Sequence, residues 1–329
     1  MSSEVPSNPP SGLRPLLAEI RAVWQRFPDR TAFLCLLAGW VALFHFLGNS
    51  TLGYVNTRSI FAWWRWVMGN SEEQHAWFVP LVVLGLLWYR REELVALPKR
   101  VWWPALGLVV CAIAIHLAGY LVQQTRLSLG AFFVGLYGIT SLLWGWPWLR
   151  ATVFPFSLFA FFVPLGPSAE PITFPLRLLA TKITGVLCQS ILGINVIQDG
   201  TQIYSPTGAY QYEVAAACGG IRSLTAILAF TMVFGYVLFK ANWRRLLLAA
   251  SAFPLAVAGN VFRLALIIVA SEAFGREAGN FVHESFFFSL APYVPSLAGT
   301  FLLGRLLRED RAHESQPEPI LLTRTEGKA

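Results

Sequence analysis

Long apolar runs alternate with short polar ones along this chain, and most of the runs have membrane length. They lie at about 31–49, 77–89, 102–121, 128–149, 151–165, 218–239, 246–271 and 285–304. A helix needs roughly 20 mostly apolar residues to cross a bilayer, so the pattern predicts an all-α polytopic membrane protein with about eight transmembrane helices. Two runs are short for a span. The second is expected to begin upstream near Ala62 or to continue past Arg91, and the fifth is interrupted at Pro155 and Pro164, where the backbone N–H that a helix interior uses is missing. The resulting division is a tail over 1–30, a transmembrane domain over 31–305 and a second tail over 306–329.

Residues 166–217 depart from the pattern. Between Phe174 and Leu192, the polar Arg177, Thr181, Thr184 and Cys188 recur at helical spacing against Leu176, Leu179, Ile183 and Leu187. That periodicity predicts an amphipathic helix lying in the interface, with a buried re-entrant helix as the alternative. Asn195–Gln198 and Thr201–Tyr204 then flank Asp199-Gly200, a two-residue hairpin signal, and Ala209–Val214 supplies a third strand after the turn at Pro206–Gly208. A small extracytoplasmic β element is thus expected to lead directly into Cys218.

Composition narrows the class. Of 329 residues 55% are hydrophobic and 13% charged, with a mean hydropathy of +0.54, a balance that no soluble domain carries. The net charge of +7 is the lysine and arginine excess of cytoplasmic loops and not a nucleic-acid footprint. With a cytoplasmic N terminus, the inner segments hold Arg14 to Arg30, Arg90, Arg91, Lys99, Arg100, Arg150, Lys240, Arg244, Arg245 and the basic residues from Arg305 onward. The outer segments hold only Arg58, Arg65, Arg126, Arg177, Lys182 and Arg276, so both termini are expected inside. The first 30 residues read as a cytoplasmic tail and not as a cleaved signal peptide. Four cysteines without CxxC spacing or a Cys/His cluster predict neither a metal site nor a redox motif, and no cofactor is expected.

The candidate chemistry gathers at three places. Cys218 and Arg222 stand four residues apart at the outer end of one apolar helix, and so share a face. Asn260 and Arg263 are three apart in the outer half of the next, and His283 sits at the mouth of the last. Ionisable residues inside membrane helices are costly to hold and mark function by default. Cations near a thiol favour its thiolate, so Arg222, Arg263 or His283 can activate Cys218. Gly219 and Gly220 leave room for a substrate backbone. His283 can move protons and Arg263 can stabilise an oxyanion, which together imply acyl transfer through a thioester. Each residue also has a plainer reading. Arg263 can pair with Glu213, Glu284 or backbone carbonyls as helix glue; His283 can be an interfacial histidine; His45 and His116, surrounded by apolar residues, suit helix packing. Cys188 can form a disulfide with Cys218, which would remove the nucleophile.

These residues resemble the exosortase/archaeosortase family of membrane cysteine transpeptidases. The match rests on Ala217-Cys218-Gly219-Gly220-Ile221-Arg222-Ser223 for the family's Ala-Cys-Ser-Gly signature, on Asn260-Val261-Phe262-Arg263 for its Asn-x-x-Arg, and on His283. Pro164–Pro175 with Gly193–Gly208 is similar to its pre-cysteine segment, and Gln74-His75 to its Ser-His-Gly element. Gly219 stands where the family has Ser, His75 lacks the following Gly, and Phe287 occupies the position of a later Gly. The resemblance covers roughly 60–305 and implies Cys218 as nucleophile, Arg263 as electrostatic partner and His283 as third catalytic group, with Arg222, Asn260, Gly219 and Gly220 in support. It implies an enzyme of the bacterial inner membrane, its site facing the periplasm or exterior. The substrates would be exported proteins ending in a short PEP-CTERM-like motif, a transmembrane helix and a basic tail, passed to an unknown acceptor; surrounding lipid is the other partner. The additional exopolysaccharide-associated domain of some members is not expected. Simple hydrolysis, and a non-enzymatic transporter or scaffold in exopolysaccharide export, are the competing readings.

Overall fold

The computed structural model describes residues 13–48, 59–70, 74–213 and 221–308, and the chain divides into two units, Met1–Ile172 and Thr173–Ala329. In the first unit, α1 (Leu13–Gln25) and α2 (Arg30–Phe46) meet at a bend of 100°. They are followed by α3 (Ile60–Asn70), α4 (Val79–Tyr89), the short α5 (Arg91–Ala96), α6 (Leu106–Leu121) and α7 (Thr125–Ser157). Helices α6 and α7 form a tight antiparallel hairpin, tied where His116 Nδ1 meets Ser128 Oγ at 2.9 Å. The core is aromatic. Trp40, Phe44, Trp63, Trp64 and Phe132 are buried together, and the indoles of Trp40 and Trp64 donate to the carbonyls of Phe132 and Phe162, each at 2.9 Å. A large ring is buried at low cost when its polar edge finds such an acceptor.

The spans expected at 128–149 and 151–165 are one helical stretch, Thr125–Phe162, and its internal break falls at Gly145, not near Arg150. Gly145 has φ 87° and ψ 179°, and a Cβ there would lie 2.7 Å from the carbonyl of Arg100, so the approaching loop requires glycine. Among the described residues, four helices are long and apolar enough to cross a membrane: Trp103–Leu121, Thr125–Phe162, Asn242–Phe274 and Phe287–Leu306. The bent pair α1–α2 makes a fifth if counted as one span, and Ala76–Tyr89 and Ser223–Leu238 are shorter apolar helices. The count of eight therefore exceeds what length and composition support, while the helical membrane class stands.

The second unit starts with α8 (Glu170–Ser190), which passes into a three-stranded antiparallel sheet, β1 (Ile197–Asp199), β2 (Gln202–Tyr204) and β3 (Gln211–Glu213), in the order β1-β2-β3. Asp199 pairs with Gln202, so the turn residues are Gly200 and Thr201, one position later than the dipeptide signal indicates. Then come α9 (Ile221–Leu238), α10 (Asn242–Ala250), α11 (Ala252–Phe274), α12 (Arg276–Glu284), α13 (Phe286–Ser289) and α14 (Tyr293–Leu306). Val196, Ile203, Tyr210 and Tyr212 of the sheet segment pack with Cys188, Ile267, Ile268 and Val282 in one core.

Helix α8 keeps the expected periodicity and reverses the expected facing. Thr173, Arg177, Thr181, Thr184 and Cys188 are buried, whereas Phe174, Leu179, Ile183 and Val186 are 42–57% exposed. Thr181 and Thr184 donate at 2.8 Å to the carbonyls of Arg177 and Ala180, one turn back on their own helix. A helix with its polar stripe inward and its apolar stripe outward suits a surrounding as apolar as lipid. The inward polar stripe is what the buried alternative requires.

Candidate active site

The site is built from two helices and one strand of the second unit. Every fourth or third residue of α11 from Ala256 to Ser271 turns inward, and that buried face carries Asn260 and Arg263, 3% and 8% exposed, among Leu264, Ile267 and Ile268. The chain reverses at Gly275 (φ 85°) and α12 runs back along α11. Arg263 Nη2 then donates to the carbonyl oxygen of His283 at 3.0 Å. His283 is on α12, a separate helix ahead of the last span, and not at that span's mouth as its sequence position suggests. Arg263 accordingly does fasten two helices through a backbone carbonyl, which is the glue role.

The imidazole of His283 is half-buried and stacks on Tyr212 of β3, with ring centroids 6.0 Å apart and planes 24° from parallel. Burial first, and the Arg263 guanidinium second, push His283 below the ordinary imidazole value, with exposed Glu284 acting in the opposite sense. Neutral imidazole is the form that accepts a proton from a thiol. At the other end of α11's polar pair, Ser223 of α9 is buried and its hydroxyl lies 3.5 Å from Asn260 Oδ1, a long contact.

Cys218, Gly219 and Gly220 lie outside the described residues, as does the side chain of Arg222 on α9. What the structure does describe is the chain on both sides of them. Tyr212 before the stretch touches His283, and Ser223 after it touches Asn260. Cys188, the rival thiol, is free among the described residues and fully buried, and burial pushes its thiol up, away from the reactive thiolate. His45 and His116 bond to Ser59 and to Ser128 and the Leu47 carbonyl, consistent with packing.

The profile of the transmembrane exosortase family (Exosortase_EpsH) matches residues 63–292. The chain belongs to this family. The exosortase match takes in Cys218, Asn260, Arg263 and His283 together with the whole sheet and α8. Neither the curated proteins nor the solved structures contain a match to this exosortase.

Sequence reasoning passed over several residues around the exosortase's His283. Ser271 Oγ donates to the Tyr212 hydroxyl at 2.9 Å, that hydroxyl lies 3.3 Å from Asn280 Oδ1, and Tyr210 donates to Glu272 Oε2 at 3.2 Å. Burial, followed by the hydrogen bond to and the charge of Glu272, raises Tyr210 well above the usual phenol value, so it stays protonated. The period of two puts Tyr210 and Tyr212 on one strand face and is readable in the sequence. Their partners, roughly 60 positions away, are not. Arg177, expected on the polar face of an interfacial helix, is buried and is, with Arg263, one of the two buried charged side chains among the described residues.

Proposed function

We propose that this exosortase-family protein is a membrane cysteine transpeptidase acting at the outer face of the cytoplasmic membrane, with Cys218 as nucleophile. One observation carries the reading: both flanks of the Cys218 stretch touch the candidate site, Tyr212 against His283 and Ser223 against Asn260, and Arg263, on the helix of Asn260, bonds the His283 carbonyl. In the first half-reaction His283 takes the thiol proton, and the Cys218 sulfur bonds to the carbonyl carbon of the scissile peptide. Arg263 steadies the oxyanion while it lasts. The C–N bond then breaks, the leaving amine takes the proton from His283, and a thioester remains. In the second, an acceptor nucleophile gives its proton to His283, bonds to the same carbon and releases the thiolate. Water as acceptor makes the outcome hydrolysis.

The substrates that suit this site are exported proteins whose C-terminal tail carries a short PEP-CTERM-like motif, a transmembrane helix and basic residues. The apolar outward stripe of α8 and the apolar helices around the site let such a tail approach within the bilayer. The test is processing of a co-expressed protein bearing this tail by wild type and by Cys218→Ala, at equal membrane abundance. Wild type should cleave the tail and yield a covalent adduct, and Cys218→Ala should lose cleavage by on the order of 10⁴-fold or more. Normal processing by Cys218→Ala would transfer the assignment to a scaffold or transporter whose arginines bind an anionic cargo.

A further inference from the structure

Tyr212 is held more firmly than a space-filling ring needs to be. It is 7% exposed, and its hydroxyl meets Ser271 of α11 at 2.9 Å and both Asn280 Oδ1 and the Arg276 carbonyl of α12 at 3.3 and 3.5 Å. The fit around that hydroxyl is close. A Cβ on Gly279 would sit 1.8 Å from Ser271 Oγ and 2.3 Å from the Tyr212 oxygen, so only glycine admits it. Burying a hydroxyl is unfavourable unless it is bonded, and a phenylalanine would fill the same volume without that demand. Tyr210 stacks behind, its ring 5.8 Å away and 26° from parallel. The imidazole of His283, whose own backbone carbonyl is bonded by Arg263, also stacks on Tyr212.

We propose that Tyr212 is the positioning residue for His283, an aromatic platform pinned through its hydroxyl between α11 and α12 that sets the plane of the imidazole. The role rests on the reading of His283 as proton acceptor. Among the described residues, the charged groups that act on the imidazole are Arg263 from α11 and Glu284 from its own helix, and both are kept when Tyr212 is changed. A change in His283 titration on altering Tyr212 therefore reports the platform.

The experiment is a histidine titration by NMR on the full chain in detergent, labelled at its five histidines, with His283 assigned by its loss in His283→Gln. Tyr212→Leu keeps apolar bulk and removes the flat face; Tyr212→Phe keeps the face and removes the hydroxyl. With Tyr212→Leu the midpoint of His283 should rise toward the ordinary value of about 6.5 as water reaches the ring, and Tyr212→Phe should restore most of the wild-type midpoint. Thermal midpoints show that each variant folds, and Ser271→Ala, which loosens the hydroxyl without touching the ring, should move His283 in the same direction by less. At pH 8, where His283 is neutral in every variant, tail processing should fall about tenfold in Tyr212→Leu from misplacement alone. An unmoved His283 midpoint in a folded Tyr212→Leu overturns the platform and leaves the Cys218→Ala test standing. A shifted midpoint with tail processing at pH 8 unchanged overturns it as well, because the ring would then shield His283 without placing it.

Discussion

The two units satisfy their buried polar groups in different ways. In Met1–Ile172 many bonds are local or capped by carbonyls, Thr140 and Thr152 returning to their own helix and the indoles of Trp40, Trp64 and Trp144 each donating to a backbone oxygen, while His116–Ser128 and His45–Ser59 join side chains of different segments. In Thr173–Ala329 buried side chains meet partners on other elements, as in Ser271–Tyr212, Tyr212–Asn280, Tyr210–Glu272 and Arg263 with the His283 carbonyl. Both buried charged side chains among the described residues, Arg177 and Arg263, belong to this second unit. Buried charge inside a membrane protein is costly and persists where something uses it. The contrast sets an aromatic core in the first unit against a second unit that holds the buried charge.

The largest expected difference comes from removing one donor to one carbonyl in each unit. Arg263→Leu strips the His283 carbonyl and Trp64→Phe strips the Phe162 carbonyl, each costing roughly 1–3 kcal/mol of stability by leaving a buried acceptor unmade. Only Arg263→Leu should also lower tail processing per folded molecule, by on the order of 10²–10³, the loss of one oxyanion donor. Equal processing by both folded variants would erase the distinction between the units.

A smaller and sharper contrast uses two helix glycines. A Cβ at Gly135 meets the Trp40 ring at 1.9 Å, and one at Gly279 meets Ser271 and Tyr212. Overpacking costs about 1–3 kcal/mol, against which the better helix propensity of alanine returns up to about 1 kcal/mol, so both Gly135→Ala and Gly279→Ala should lower the thermal midpoint by a few degrees. They part in what they disturb. Gly279→Ala displaces the Tyr212 hydroxyl and should lower tail processing, whereas Gly135→Ala should leave processing per folded molecule as it was.

This contrast also explains how much could be read from the sequence. The apolar runs lead to a helical membrane protein because composition and periodicity are local properties, and the motif around Cys218 with Asn260-x-x-Arg263 and His283 carries the family resemblance that the profile match bears out. The facing of α8 is left open by the sequence for a physical reason. Amphipathic periodicity says which residues share a face, but in a membrane the apolar face turns outward, and the pattern alone does not state the solvent. The break at Gly145 depended on the carbonyl of Arg100, 45 positions earlier, and Pro147 alone gave no reason to prefer it to Pro155. Tyr212 was visible as half of an alternating pair, while its role depends on a histidine 71 positions later. Pairings across such distances are tertiary facts without a local signature.

The smallest effect is thermodynamic and is read without any substrate. His283 is held below the ordinary histidine value in the folded protein, chiefly by burial and then by Arg263. Well above pH 6.5 the imidazole is neutral in both the folded and the unfolded chain, and it contributes nothing to the pH dependence. As the pH falls through about 6.5 the unfolded chain takes up a proton that the folded chain refuses, so stability declines, and the decline ends only once the pH has passed below the folded value. The thermal midpoint of wild type should therefore drop between pH 7.5 and 5 by more than that of His283→Gln, which has no proton to bind at this position. Arg263→Leu should narrow the same window, since one of the two causes that depress His283 is then gone. Identical pH slopes for wild type and His283→Gln would mean that His283 titrates alike in both states, and the neutral, proton-accepting imidazole on which the catalytic reading depends would lose its support.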